Sequence, residues 1–157
     1  MTDMLVKLYE LPELQPALAD QQAAGIDIRR ALAPERHLVV GWVCENFSQL
    51  WANECEVAMS SHPISCFIAV ENAQLIGFAC IDATYKGFFG PIGVIQEARG
   101  KDVGKALLLT ALHDMWSRGY GYAIIGAIGP TEFYEKAVGA TIIPDSTPGI
   151  YRGLLRE

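Results

Sequence analysis

Residues Arg99-Gly100-Lys101-Asp102-Val103-Gly104-Lys105-Ala106 follow an apolar run, Phe88 to Ile95, and open an amphipathic one, Val103 to Trp116. Strand, glycine-bearing basic loop and helix in that order constrain the chain more than any other segment. The glycines allow close approach of backbone to a ligand, and a new helix N-terminus presents unpaired N–H groups. Arg99, Lys101 and Lys105 place positive charge at the same point, where the helix dipole disfavours it unless an anion is bound. The segment is a device for phosphate-bearing ligands.

Two common phosphate ligands are excluded by spacing. A Walker-type loop has its glycines further apart and a Ser or Thr after the lysine to hold magnesium. Here Lys105 is followed by Ala106, which offers no hydroxyl to a metal. The G-x-G-x-x-G fingerprint of dinucleotide binding is absent. Nucleotide hydrolysis and hydride transfer are therefore disfavoured, and no metal site is expected.

The loop resembles instead the R/Q-x-x-G-x-G/A pyrophosphate loop of the GCN5-related N-acetyltransferase (GNAT) superfamily, reading Arg99-x-x-Asp102-x-Gly104 and departing at its fourth position. A second match follows at the family's distance, where Phe133-Tyr134-Glu135-Lys136-Ala137-Val138-Gly139-Ala140 resembles its FYEK-x-GF segment. The resemblance spans residues 26–157. Residues 1–25 read as an N-terminal extension, with Met4 to Leu11 a candidate extra edge strand and Leu14 to Ala24 a short helix or linker.

The remaining pattern is mixed. Strands are expected over Ile26 to Leu32, Cys66 to Glu71, Leu75 to Ala83, Phe88 to Ile95, Tyr122 to Ile128, and a closing pair at Thr141 to Pro144 and Ile150 to Leu155. Helices are expected after Pro34, after Ser48 as N-cap, from Val103 to Arg118, and from Thr131 as cap through Ala137. This is an α+β chain of one domain, with a mostly antiparallel central sheet flanked by helices. Gly90-Pro91 inside an apolar strand forces an edge or bulge there. The resemblance gives that break a purpose: the strand splays from its neighbour into a slot for acyl-CoA, with Ile92, Gly93 and Val94 pairing with the pantetheine arm as an added strand would.

What the resemblance implies for the site is acetyl-CoA as cosubstrate and direct transfer of its acetyl group to an amine. Arg99, Gly100, Lys101, Asp102, Val103, Gly104, Lys105 and Ala106 would bind the pyrophosphate, and Tyr134 would protonate the departing thiolate. Asp102 is also a candidate N-cap for the amides of Gly104 or Lys105, in competition with that ligand. The family's usual carboxylate is missing from Phe88–Ile95. That leaves Glu54, Glu56, Glu71, Asp82 and His37 as general-base candidates by chemistry alone. Ala127 stands where relatives carry an Asn that reaches the CoA arm. Trp42, Trp51, Cys55 and Tyr151 are candidates to line an acceptor pocket, and helical spacing equally makes them core.

Composition agrees. The chain has 157 residues, 51% of them apolar, enough for a core and without a run that spans a bilayer. A net charge of −6 disfavours nucleic acid. No membrane partner is expected, the acceptor is a small-molecule or protein amine, and a homodimer is open. Cys44, Cys55, Cys66 and Cys80 lack C-x-x-C spacing and fit a reduced, cytoplasmic setting. A covalent route through Cys55 or Cys80 lacks a Cys-His-Asp grouping. The rival expectation is a non-catalytic acyl-CoA-binding sensor or interaction module on the same fold.

Overall fold

The computed structural model describes residues 1–157. In chain order it has β1 (Thr2–Lys7), α1 (Leu14–Ala23), β2 (Ile26–Arg30), α2 (Arg36–Asn46), α3 (Gln49–Met59), β3 (Cys66–Glu71), β4 (Gln74–Ile81), β5 (Phe88–Val94), α4 (Val103–Ser117), β6 (Tyr122–Ile128), α5 (Glu132–Val138) and β7 (Thr141–Ile143). The strands form one sheet in the order β2-β3-β4-β5-β6-β1-β7. Every neighbouring pair is antiparallel except β5–β6.

Local chemistry accounts for most boundaries. Ser48 caps α3 by accepting the Trp51 amide at 3.1 Å. Asn72 and Ala73 both take positive φ, the mirror-image turn that lets β3 and β4 continue with their natural twist. Gly139, at φ 64, closes α5 in the left-handed conformation. Thr131, expected to cap α5, makes no side-chain bond to the helix.

Two expectations at the chain ends are corrected. β1 is an interior strand, bonded to β6 on one side and β7 on the other, with Met4 and Val6 wholly buried. Ile150 to Leu155 forms no strand: Gly149–Tyr151 is a single 3-10 turn and the rest is irregular. The partner that β7 lacks on its C-terminal side is supplied by the N-terminus. Residues 1–25 thus belong to the same sheet and core, with Leu8 buried beside them.

The sheet carries a core on each face. On one, α4 buries Val103, Ala106, Leu107, Leu108, Leu109, Ala111, Leu112 and Met115, so it is apolar nearly all round. The sheet lies on one side of it and α1 on another. Leu107 lies so close to β4 that a Cβ on Gly77 would stand 2.9 Å from its Cδ1. On the other face, α2 and α3 cover Ile68, Phe78, Cys66 and Cys80.

Candidate active site

β5 and β6 pair only at Phe88–Ile124 and Phe89–Ile125, then part. Each strand has its own reason to turn away. On β5, Gly90 has φ +124, Pro91 has no N–H, and the β4–β5 ladder slips by one residue between Ile81–Phe89 and Ala79–Ile92. On β6, Ala127 takes φ 51 and gives its amide to Asp3 Oδ1 at 2.8 Å. The result is an open slot between two strands of one sheet. The bulge expected from Gly90-Pro91 is present.

Slot-facing backbone follows from ladder alternation. The Ile95 amide donates to Ile76 at 3.0 Å, so Gly93 turns its own amide and carbonyl to Phe78, and Ile92 and Val94 turn theirs to the slot. The Val94 carbonyl accepts Arg99 Nε at 3.2 Å. Gly93 serves otherwise: its missing side chain makes room for Phe47 on the α2–α3 face.

At the slot's end on the α4 face lies a concavity of about 210 Å³, lined by Val94, Arg99, Gly100, Asp102, Gly104 and Phe133 among others. Gly100 has φ +81, and Asp102 has φ 59 with no side-chain bond to the helix, which corrects the capping expectation. Asp tolerates this region better than most residues, so the turn survives the departure from glycine. The first bond of α4 runs from the Ala106 amide to the Asp102 carbonyl, 3.0 Å, leaving the amides of Val103, Gly104 and Lys105 without an acceptor. A Cβ on Gly104 would stand in the concavity, 3.8 Å from Phe133 and Val94. Three free amides, a cradle that a side chain would fill and the exposed Arg99 and Lys105 fit a pyrophosphate. Lys101 points elsewhere, its Nζ 4.0 Å from Glu71.

Tyr134 lies in the same core as α4, its ring edge-on to Phe133 at 5.0 Å between centroids. Burial pushes its hydroxyl up to about 12, so it is protonated at any ordinary pH. The hydroxyl has no partner in the protein and is not sealed from solvent. Phe133 borders the loop concavity.

On the α3 face, the point where the strands part is surrounded by Glu54, Thr84, Phe88, Tyr151 and Asp3. Thr84 donates to Glu54 Oε1 at 2.5 Å. A Cβ on Gly126 would meet the Phe88 ring and the Tyr151 hydroxyl at 3.1 Å. Burial, and after it the charge of Glu54, raises the Tyr151 phenol above its usual range. Asp3 is buried, with Oδ1 held by Ala127 and its own amide donated to Ser146 Oγ at 2.9 Å.

The other base candidates are engaged. Asp82 accepts from Tyr120 at 2.9 and 3.0 Å and from the Gly87 amide at 2.8 Å. Glu56 pairs with Arg36, and Glu71 faces Lys101. His37 borders a separate groove of about 570 Å³ between α2 and the β3–β4 hairpin, where Arg29 and Glu35 already satisfy each other bidentately. Glu54 is the candidate that the fold brings to the slot. Of the proposed pocket residues Tyr151 is there. Trp42 and Trp51 pack against Phe47 and Phe78, and Cys55 has no exposed surface. Cys55, Cys66 and Cys80 cluster with no exposed surface, so neither Cys55 nor Cys80 reaches an acyl group.

Sequence and fold comparisons agree on the relationship. No curated protein sequence matches significantly. Among solved structures, the fungal GCN5-related glucosamine N-acetyltransferase region of a multi-domain GH3 β-N-acetylglucosaminidase superposes with TM-score 0.74 at 15% identity, over 90% of this chain and 19% of that one. A GCN5-related N-acetyltransferase from Sphaerobacter thermophilus superposes with TM-score 0.63 at 19% identity, over 90% of this chain and 48% of that one. The chain thus spans about a fifth and about half of those two proteins. Aminoglycoside N-acetyltransferase AAC(6')-Iy, solved in complex with CoA, gives TM-score 0.54 at 20% identity, over 71% and 82% of the two chains. The signature of the Acetyltransferase (GNAT) family matches residues 26–140, the span from β2 to the end of α5 that holds the loop, the slot and Tyr134, and the chain belongs to that family.

Proposed function

We propose that this protein is an acetyl-CoA-dependent N-acetyltransferase that works by direct transfer to an amine. The observation that carries the reading is the slot between β5 and β6, which leads from an anion-ready helix N-terminus to a carboxylate on the opposite face. The thioester of acetyl-CoA supplies the activated acyl group.

The amides of Val103, Gly104 and Lys105 hold the pyrophosphate, with Arg99 and Lys105 adding charge. Gly100 and Asp102 hold the turn that frees those amides. The slot-facing groups of Ile92 and Val94 pair with the pantetheine arm as a strand would. Glu54, oriented by Thr84, accepts the proton of the attacking amine, and Tyr151 and Phe88 border the acceptor. Tyr134 donates a hydrogen bond to the charge that develops on sulfur. Its raised value makes complete proton transfer to a thiolate uphill, since an ordinary thiol titrates near ~8.5. Its contribution is therefore electrostatic, from a donor fixed before the reaction starts.

The test is calorimetric titration with acetyl-CoA, followed by a thiol-release assay across primary amines. One-site binding with turnover, and a roughly 10²-fold lower kcat in Tyr134→Phe at unchanged affinity, supports the enzyme. Binding without turnover for any amine, with Tyr134→Phe silent, supports the binding module instead. Absence of binding at millimolar ligand refutes both.

A further inference from the structure

Gln21 lies near the end of α1, in the segment that precedes the family-matched residues. It is 3% exposed, and its Nε2 donates to the Lys101 carbonyl at 2.7 Å. Its Oε1 is equally buried and has no partner. Turning the amide over would set two oxygens against each other, so the donor end is the one the loop uses. A buried amide with one end unsatisfied costs stability, and a Met or Leu would fill the same space without that cost. Packing alone does not explain a glutamine here.

The carbonyl it takes is a particular one. Lys101 stands four residues before Lys105, so one more residue of regular helix would bond the Lys105 amide to it. That bond is not made, and the ladder begins at Ala106. We propose that Gln21 is a positioning residue for the pyrophosphate loop: by occupying the Lys101 carbonyl it keeps α4 from winding back one residue and leaves the Lys105 amide for an anion. This rests on the cofactor reading above and adds to it that the N-terminal segment sets the cofactor site. In its absence Asp102 is free to pass from its left-handed conformation to the right-handed helical one, the Lys101 carbonyl and Lys105 amide then satisfy each other, and one of the three free amides is consumed.

The experiment is titration of the wild type, Gln21→Met and Gln21→Leu with CoA and, separately, with pantetheine, which lacks the pyrophosphate. Thermal melting of each variant runs alongside. The expected result is a roughly tenfold weaker CoA affinity in both variants, the scale of one charge-assisted hydrogen bond. Pantetheine affinity and melting temperature stay level or rise, because the unsatisfied Oε1 has gone. Unchanged CoA affinity, or an equal loss on pantetheine, overturns the proposal. Failure of the wild type to bind CoA overturns the cofactor reading itself. If neither variant folds, amide exchange in the wild type decides: a Lys105 amide that is unprotected alone and protected with CoA supports the proposal, and one protected in the free protein refutes it.

Discussion

Replacing Gly93 with Ala tests how tightly the two faces of β5 are fitted. The backbone of Gly93 is of ordinary sign, so the new methyl brings no conformational strain and the cost is steric. Its Cβ would lie 2.5, 2.7 and 2.9 Å from Cζ, Cε1 and Cε2 of Phe47. Carbon atoms in contact prefer about 3.5–4.0 Å, so the ring must retreat by roughly 1 Å. Trp42, Phe78 and Trp51 stand against that retreat, with centroids 5.7, 5.6 and 5.4 Å from the Phe47 ring. Overpacking of this kind costs about 1–3 kcal/mol, which in a chain of this size lowers Tm by roughly 3–9 °C. Urea and thermal unfolding followed by Trp fluorescence would read it, since Trp42 and Trp51 flank the ring. Phe47→Leu in the Gly93→Ala background should recover about 1 kcal/mol relative to additivity. Gly104→Ala is the control, with its nearest neighbours 3.8 Å away and no loss of stability expected. A Gly93→Ala variant that melts within ~1 °C of wild type, or strict additivity in the cycle, would show that the contact is slack and refute the reasoning.

Three further outcomes are expected. Asp102→Gly should tighten CoA about fivefold, because it removes one negative charge from the rim of the anion pocket, worth about 1 kcal/mol at several ångströms, and leaves the left-handed turn intact; calorimetry showing equal or weaker binding would count against it. Glu54→Gln should lower kcat/KM about 10²-fold with CoA affinity unchanged, and Glu54→Asp should recover part of the loss; steady-state rates at neutral pH would decide. The raised hydroxyl of Tyr134 means that the folded state keeps its proton from pH 10 to about 12 while the unfolded chain loses it, so its contribution to stability is level below pH 10 and falls by up to about 3 kcal/mol above it; chemical denaturation across that range should show a steeper decline in the wild type than in Tyr134→Phe, where the raised phenols of Tyr120 and Tyr151 leave a smaller one.

The loop and the slot were legible because their chemistry is local. A loop of eight consecutive residues, a Gly-Pro break and a Phe-Tyr pair each state their geometry within a short window, and the structure puts the loop and the slot where that reading expects them. Asp102 shows the limit within such a window: the sequence allows a cap or a left-handed turn, and only the backbone chooses. Of the groups proposed for the acceptor side, Glu54 and Tyr151 could be named only among several candidates, and their meeting with Asp3 and Thr84 was not legible, because the four come from distant segments with no shared pattern. The place of β1 was hidden for the same reason. An alternating apolar run announces a strand but not its partners, and the run at Ile150 to Leu155 was an equally good claimant to a position beside β7.

The interior place of β1 also has a consequence for the order of folding. Residues 2–7 pair only with residues 122–128 and 141–143, nearly the full length of the chain away. Closing a loop of that size comes late and slowly. During synthesis β1 must wait for β6 and β7, with Met4, Val6 and Leu8 exposed in the interval and in need of protection from other chains. The strand that finishes the sheet also brings Asp3 to Ala127, so the bond at the bend of β6 forms with the final pairing step. A chain interrupted before residue 122 has nowhere to put its own beginning.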